Sequence, residues 1–332
     1  VWFNGDFTVE SWVYLKSYAS WCRLIDIGNG QPSDNILLGL SYQTTGKPAF
    51  DIYNGASFTR VDSSEQIPLN QWTHLAATSS GSVGKLYING YLVGTNNSMS
   101  QALNVLRTNA YIAKSNWSAP NTEAAIDEFR IWNLARTADQ IQSGMCKKLS
   151  GDETGLLAYY RFDHSSGTTL TDLTGNGYDG ILTNMTDSDW ITSGAALGDN
   201  SIYDYTGSVA SDFSVTLSHS DGDAFTAFGD SGTYTGLHVY LVTESPSSYT
   251  APAGFSTLYT DHYFGVFPVG FNQTYSIDYY YTGHSEIVDD TNLRLVSRSN
   301  NAASWTDLSA TLDTSSTTIS KTGISAFTGL ST

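Results

Sequence analysis

The sequence predicts an all-β fold of two successive β-sandwich domains, and three observations carry that reading. Charged residues make up only 14% of the 332-residue chain while aromatics reach 13%, with 21 Tyr and 8 Trp. Such a composition suits pleated, half-buried surfaces. Short alternating segments recur about every 8–15 residues between Gly, Asn and Ser turn signals, the spacing of a sandwich. Helical periodicity is confined to one short stretch.

Taken in order, residues 7–16 (FTVESWVYLK) alternate as a half-buried strand, and 22–27 (CRLIDI) form the next, closed by Gly28-Asn29-Gly30. Strands follow at 36–40, 49–53, 72–78 and 85–88, the last ending on the hairpin signal Asn89-Gly90. Segments 110–113 and 126–132 complete the first set. One helix is expected over 137–147, because Thr137 and Gln140 make a capping box and Ile141 and Met145 lie one turn apart. Residues 149–198 change character: a strand at 155–162, then a Gly/Thr/Asn-rich hairpin region, then Trp190 to Gly198. From 199 to 332 strands are expected near 212–218, 236–243, 262–269, 274–282, 292–298 and 317–320, forming a second sandwich.

The chain carries 15 Lys+Arg against 32 Asp+Glu, a formal charge of -17. That field repels nucleic acid and anionic membranes, and disfavours polyanionic glycans, while offering carboxylates to hard cations such as calcium. No apolar run approaches the ~20 residues of a membrane helix, so no membrane insertion is expected. The chain opens inside an apparent strand, Val1-Trp2-Phe3, with no leader-like segment, and reads as a mature protein or a fragment. The two cysteines, Cys22 and Cys146, are either a disulfide joining the early strands to the end of the first domain or two buried thiols; spacing alone does not decide.

Five segments together resemble the laminin-G/concanavalin A-like lectin superfamily in its bacterial secreted branch, over residues 1–145: GDFTVESWVYLKS (5–17), RLIDIGNGQPSDNILLGL (23–40), QWTHLAAT (71–78), KLYINGYLVG (85–94) and AAIDEFRIWNLARTADQI (124–141). The resemblance implies a laminin-G-like jelly-roll over 1–148, whose relatives bind sugars or proteins at the sandwich rim and in many cases hold calcium. Segment 155–198 resembles the opening of the same domain, displaced to its end. It either starts a second copy or folds back to supply strands to the first sandwich; the second is favoured, since a lone pair of strands is marginal in water.

The superfamily's rim calcium ligand is an Asp opening an Asp-x-Ile-x-Leu strand, which Asp34 matches here, with Asn35 able to add an oxygen. A second ligand is expected from the 114–122 loop, at Asn116 or Asn121. Trp117 in that loop can stack on a sugar ring while the two Asn bond hydroxyls. Asp127 shares the parity of Phe129 and Ile131, so it is expected to point inward, held by a partner or a cation. The acidic turns around His219-Ser-Asp221-Gly-Asp223 and Asp172/Asn176/Asp179 lack EF-hand spacing and read as solvated turns, and Asp278-Tyr279-Tyr280-Tyr281 turns at least one Tyr outward. Glucanases of this fold carry Glu-x-Asp-x-x-Glu on one strand, a pattern missing here, and the six His show no zinc-type spacing. The expectation is therefore a non-catalytic, secreted or cell-surface binding protein whose partner is a glycan or a cell-surface protein, with calcium as cofactor. An alternative is a structural segment of a large adhesin. The sequence does not set an oligomeric state.

Overall fold

The computed structural model describes residues 2–259, 261–282, 287–301 and 303–325. The chain forms two compact units, the first comprising 1–141 and 149–191, the second 142–148 and 192–332. Trp2 and Phe3, expected within a strand, precede the first one; Phe3 is buried against Phe7 with ring centroids 4.6 Å apart, and Val1 of that expected strand lies outside the described residues.

In the first unit β1 (Phe7–Leu15), β2 (Arg23–Gly28), β3 (Ile36–Gly39), β4 (Ala49–Asn54), β5 (Ser57–Asp62), β6 (Trp72–Ser80), β7 (Val83–Ile88), β8 (Tyr91–Asn96), β9 (Asn109–Ile112) and β10 (Ala124–Trp132) precede helix α1 (Ala138–Met145), of which residues 138–141 belong to this unit. Strand β11 (Leu156–Tyr160) and the short pair β12 (Thr169–Leu170) and β13 (Gly180–Ile181) follow. The strands build a six-stranded sheet, β11-β10-β1-β6-β7-β8, and a five-stranded sheet, β5-β4-β3-β2-β9. Val9, Val13, Leu75, Ala77, Phe129 and Ile131 on the first meet Ile25, Ile27, Ile36, Leu38, Phe50 and Ile52 on the second, all buried. Each such large side chain contributes about 1.5–3 kcal/mol on burial. Strand β11 closes one edge of the six-stranded sheet, pairing Phe129 with Tyr160 and Ile131 with Ala158, so Ala158 and Tyr160 enter the same core.

Alternation along β1 turns Glu10 and Trp12 to the outer face, yet both are fully buried. Ile141 of α1 covers Ala76 and Tyr87, while Leu134 and Leu149 cover Trp132, Leu156 and Tyr159. The Thr137–Gln140 capping box forms as expected, with Gln140 N 3.2 Å from Thr137 Oγ1 and Thr137 N 2.9 Å from Gln140 Oε1. Beneath this cover Glu10 accepts from the Trp132 indole at 2.9 Å and lies 3.6 Å from Arg130, which also pairs with Glu128. Tyr159 donates to Glu128 at 2.6 Å. Buried charges survive only when paired in this way.

The expectation that Asp127 points into the core is corrected by a β-bulge. Glu128 takes φ 52, and the register slips so that Glu10 faces Arg130 while Trp12 faces Asp127. Facing residues share a side of the sheet. Asp127 therefore lies on the outer face with Trp12, and the extra residue explains why parity counted from Phe129 fails. Its carboxylate accepts the Glu128 amide at 2.8 Å. The cysteines do not form a disulfide: Cys22 is packed in the core of the first unit, and Cys146 is a buried cysteine of the second.

The second unit contains β14 (Asn200–Asp204), β15 (Ser214–Ser218), β16 (Ala224–Val242), β17 (Tyr263–Tyr280), β18 (Val296–Ser297), β19 (Thr306–Asp307), β20 (Thr311–Asp313) and β21 (Thr318–Ser325). The segments expected as separate strands at 236–243, 262–269 and 274–282 belong to two long ones, β16 of 19 residues and β17 of 18. These pair along their length, interrupted by register shifts between Gly229 and Gly236. Gly270 at φ 142 sits where a Cβ would come within 2.0 Å of the Thr233 carbonyl oxygen, so only glycine permits that close approach. The bend brings Phe225, near the start of β16, onto Phe264, near the start of β17, with centroids 5.1 Å apart. One sheet folded over itself thus encloses Phe225, Ala227, Leu237, Val239, Val266 and Ile277.

The buried network on the first unit makes stability pH-dependent. Burial holds His74 neutral, lowering its pKa from 6.5 to about 4 against the opposing pull of Glu10. Burial alone would raise the Glu10 pKa, but Arg136, His74, Arg130 and the Trp132 bond together hold it below the ordinary value. The unfolded chain protonates His74 first, so stability is full above about pH 6.5 and drains as pH falls toward 4. Denaturant unfolding at pH 7.5 and 4.5 is expected to differ by about 2–3 kcal/mol through this group. His74→Gln removes that part of the slope; an unchanged slope contradicts the assignment.

Candidate ligand-binding face

The outer face of the five-stranded sheet is organised by cross-strand pairing. Tyr111, Asp26, Leu37, Asp51 and Arg60 face one another in a row across β9-β2-β3-β4-β5. Tyr53 and Phe58 pair in a neighbouring row. Asp51 and Arg60 form a bidentate ion pair with contacts of 2.6 and 2.7 Å.

Asp26 is fully buried and accepts four hydrogen bonds at its carboxylate. Oδ1 takes the side-chain amides of Asn35 and Asn116, each at 2.8 Å; Oδ2 takes the Asn116 backbone amide at 2.7 Å and the Ser115 hydroxyl at 3.2 Å. Bonds to a charged acceptor contribute about 1.5–3 kcal/mol each. They anchor the 113–122 loop over the sheet. The loop is closed by Thr122 N to Ala113 O at 2.9 Å, and the Thr122 hydroxyl takes the Arg23 amide at 2.8 Å.

With the loop fixed, aromatic rings gather around two arginines. Trp117, half-buried, lies 5.6 Å from Tyr53 and 5.9 Å from the Arg23 guanidinium. Tyr53 stacks on Phe58 at 4.9 Å, and Phe58 is 48% exposed. The Arg60 guanidinium lies 5.3 Å from Trp21, 4.9 Å from Tyr42 and 5.0 Å from Phe58. Burial disfavours its charge, but the hydrogen bond and charge of Asp51 outweigh that and raise its pKa. Trp21 takes φ 62, a left-handed conformation unusual for a bulky residue, held by its amide bond to Gln43 O at 3.1 Å. Such strain costs about 1–3 kcal/mol and gathers at functional sites. Beside the rings a cleft of about 260 Å³ is lined by Tyr42, Thr45, Lys47, Pro48, Arg60, Asp62 and Ser63.

The residues expected from sequence are divided by the fold. Asn35, Asn116 and Trp117 converge here, the first two through Asp26. Asn121 is exposed in the same loop. Asp34 lies at the corner beside Asn35, and Asp127 is on the outer face of the other sheet. The corner does not fit calcium. The Asp34 carboxylate accepts the Gly55 amide at 2.7 Å and its carbonyl accepts Arg107 Nε at 2.6 Å. The Asn35 amide oxygen takes the Ser33 amide and that of Asn116 takes Asn109 Nδ2, each at 2.8 Å. These oxygens are turned to protein donors, one of them a guanidinium, whereas a hard cation takes a shell of six to eight oxygens. Elsewhere, Tyr279 and Tyr281 turn their hydroxyls to Asp223 and Asp290, so Tyr280 alone of that run is substantially exposed.

Sequence reasoning missed Trp21, Arg23, Asp26, Tyr42, Asp51, Tyr53, Phe58 and Arg60. Two signals could have found part of the set: the Asn54-Gly55 turn, which announces β5, and the alternation Asp51-x-Tyr53 and Phe58-x-Arg60 on either side of it.

Residues 1–142 match the model of a family described as the concanavalin A-like lectin/glucanases superfamily. Among curated proteins no match is found. Similar solved structures include a putative carbohydrate binding protein from Bacteroides ovatus, 19% identical at a TM-score of 0.41. That match covers 54% of each chain, so this protein spans about half the length of that relative. A heptameric SAP-like pentraxin from Limulus polyphemus is 16% identical over 42% of this chain and 68% of its own, at a TM-score of 0.33. The CBM40 of a Ruminococcus gnavus sialidase, bound to alpha2,3 sialyllactose, is 14% identical over 42% of this chain and 82% of its own, at a TM-score of 0.38.

Asp26→Ala strands four donors and releases the loop, with an expected loss of about 3–5 kcal/mol in denaturant unfolding and faster amide exchange across 113–122. A change within about 0.5 kcal/mol, the range of an ordinary surface substitution, contradicts the anchoring role.

Proposed function

We propose that the first unit is a non-catalytic carbohydrate-binding module of a secreted or cell-surface protein, taking a neutral glycan on the outer face of its five-stranded sheet. The observation that carries this reading is the grouping of Trp21, Tyr42, Tyr53, Phe58 and Trp117 around Arg23 and Arg60, beside the cleft. A pyranose offers an apolar C–H face and a rim of hydroxyls. Exposed Phe58 and the half-buried indoles supply the matching apolar surface, while Arg60, Lys47 and Asp62 supply hydrogen-bonding groups at its edge. The Asp51 carboxylate already balances the Arg60 charge, which favours hydroxyls over a charged sugar. The family match over 1–142 supports the same class of ligand.

Binding is favoured over hydrolysis because glycosidases need two carboxylates able to exchange a proton or attack the sugar. On this face Asp26 is saturated by four donors and Asp51 is locked to Arg60. Calcium has no part in the contact.

A glycan array read with calcium and with chelator is expected to give the same set of bound neutral glycans. Phe58→Ala and Trp21→Ala are then expected to weaken the best ligand about tenfold or more by calorimetry, the loss of one stacked ring being about 1.4 kcal/mol. Binding that survives both substitutions unchanged places the site elsewhere. A folded protein that binds no glycan at all favours the protein-binding or structural alternative.

A further inference from the structure

The second unit brings together side chains that lie far apart in the sequence. His219 and Asp221 belong to the turn between β15 and β16, and His262 immediately precedes β17. One ligand atom from each of the three lies within 4.8 Å of the others. We infer that His219, Asp221 and His262 form a binding site for a divalent first-row transition ion, of which zinc is the best fit.

Local geometry presents these groups. The turn is closed by His219 N to Asp223 O at 2.8 Å, with Gly222 at φ 108. Asp221 is steered by the Asp223 amide, 2.9 Å from its Oδ1, which leaves Oδ2 facing the imidazoles. Oδ2 is 2.9 Å from His219 Nδ1 and 3.8 Å from His262 Nδ1. A tetrahedral ion with ligands at about 2.0–2.2 Å has ligand–ligand edges of about 3.3–3.6 Å. The observed separations bracket that edge, so small side-chain rotations complete the set. The two rings are stacked, with centroids 4.0 Å and planes 27° apart.

An outer layer supports the same assignment. His262 is buried, edge-on to Tyr259 and Phe264 at 5.4 and 5.6 Å. Its Nε2 lies 3.5 Å from Asp223 Oδ2, so Nδ1 is the nitrogen directed at Asp221. Asp223 is fully buried and receives the Tyr279 hydroxyl. A ligating histidine whose second nitrogen is oriented by a hydrogen-bonded carboxylate is the usual construction of zinc centres. Two imidazoles with one carboxylate suit zinc and its neighbours and are poor ligands for calcium or magnesium. A fourth position is left to water.

The test uses the full chain, stripped with EDTA and titrated separately with Zn²⁺ and Co²⁺. The expected result is one zinc per chain by calorimetry, a rise in Tm with zinc, and a visible Co²⁺ spectrum of tetrahedral intensity. His219→Ala and Asp221→Asn alter partly exposed positions of a turn, so the fold is expected to persist by circular dichroism. Each should weaken zinc about tenfold or more and abolish the Co²⁺ band, and His262→Gln should do the same. The assignment is overturned if the folded wild-type chain shows no saturable zinc binding. It is equally overturned if stoichiometry, affinity and spectrum are unchanged in His219→Ala and Asp221→Asn.

Discussion

The carboxylate of Asp26 sits under the 113–122 loop with no exposure to water, and its two oxygens collect donors from Asn35, Ser115 and Asn116. A buried charge is tolerated only when satisfied in this way. Its requirement for partners fixes what lies above it: the loop must fold across the sheet, Trp117 must lie against Tyr53, and the corner at Asn35 must meet the loop. The aromatic face is in this sense a consequence of one buried anion. The aromatic rings of this face are thus held in place by protein donors and a single carboxylate.

The two outer faces of the sandwich make an instructive contrast. On the six-stranded sheet, Glu10, Arg130, Glu128 and Tyr159 are shut beneath hydrophobic cover and serve the fold. On the five-stranded sheet, the corresponding pair Asp51–Arg60 is covered only in part, and the rings around it reach solvent. Paired charges on one side are sealed beneath hydrophobic cover; on the other they hold rings and hydrogen-bonding groups at the surface. The overall charge of -17 gives no hint of this local concentration of arginine.

How much was legible in the sequence follows from the physics of each element. Strands with clean alternation and a strong turn, such as 7–16 and 85–88, read directly, as did the capping box at Thr137. The all-β class and the jelly-roll resemblance rested on such segments. Asp127 was misplaced because one bulged residue reverses parity, and a bulge leaves no compositional mark at Glu128. Strand β5 was missed because Ser57–Asp62 is a polar edge strand with little apolar pattern. The length of β16 and β17 was hidden by the glycines that let them bend. Nothing in the strand CRLIDI singles out Asp26, His219 lies in what reads as a solvated acidic turn, and His262 has no zinc-type spacing to it. Meetings across sheets and turns are properties of the fold that local spacing does not encode.

The account stands on the outer face of the five-stranded sheet being the surface that meets a glycan. The most direct measurement is an NMR titration following the indole N–H signals of the eight tryptophans as a bound glycan is added. The account predicts that Trp21 and Trp117 shift progressively and saturate together, while Trp12 and Trp132, buried on the opposite sheet, stay still. Saturable binding that leaves Trp21 and Trp117 unmoved would contradict it.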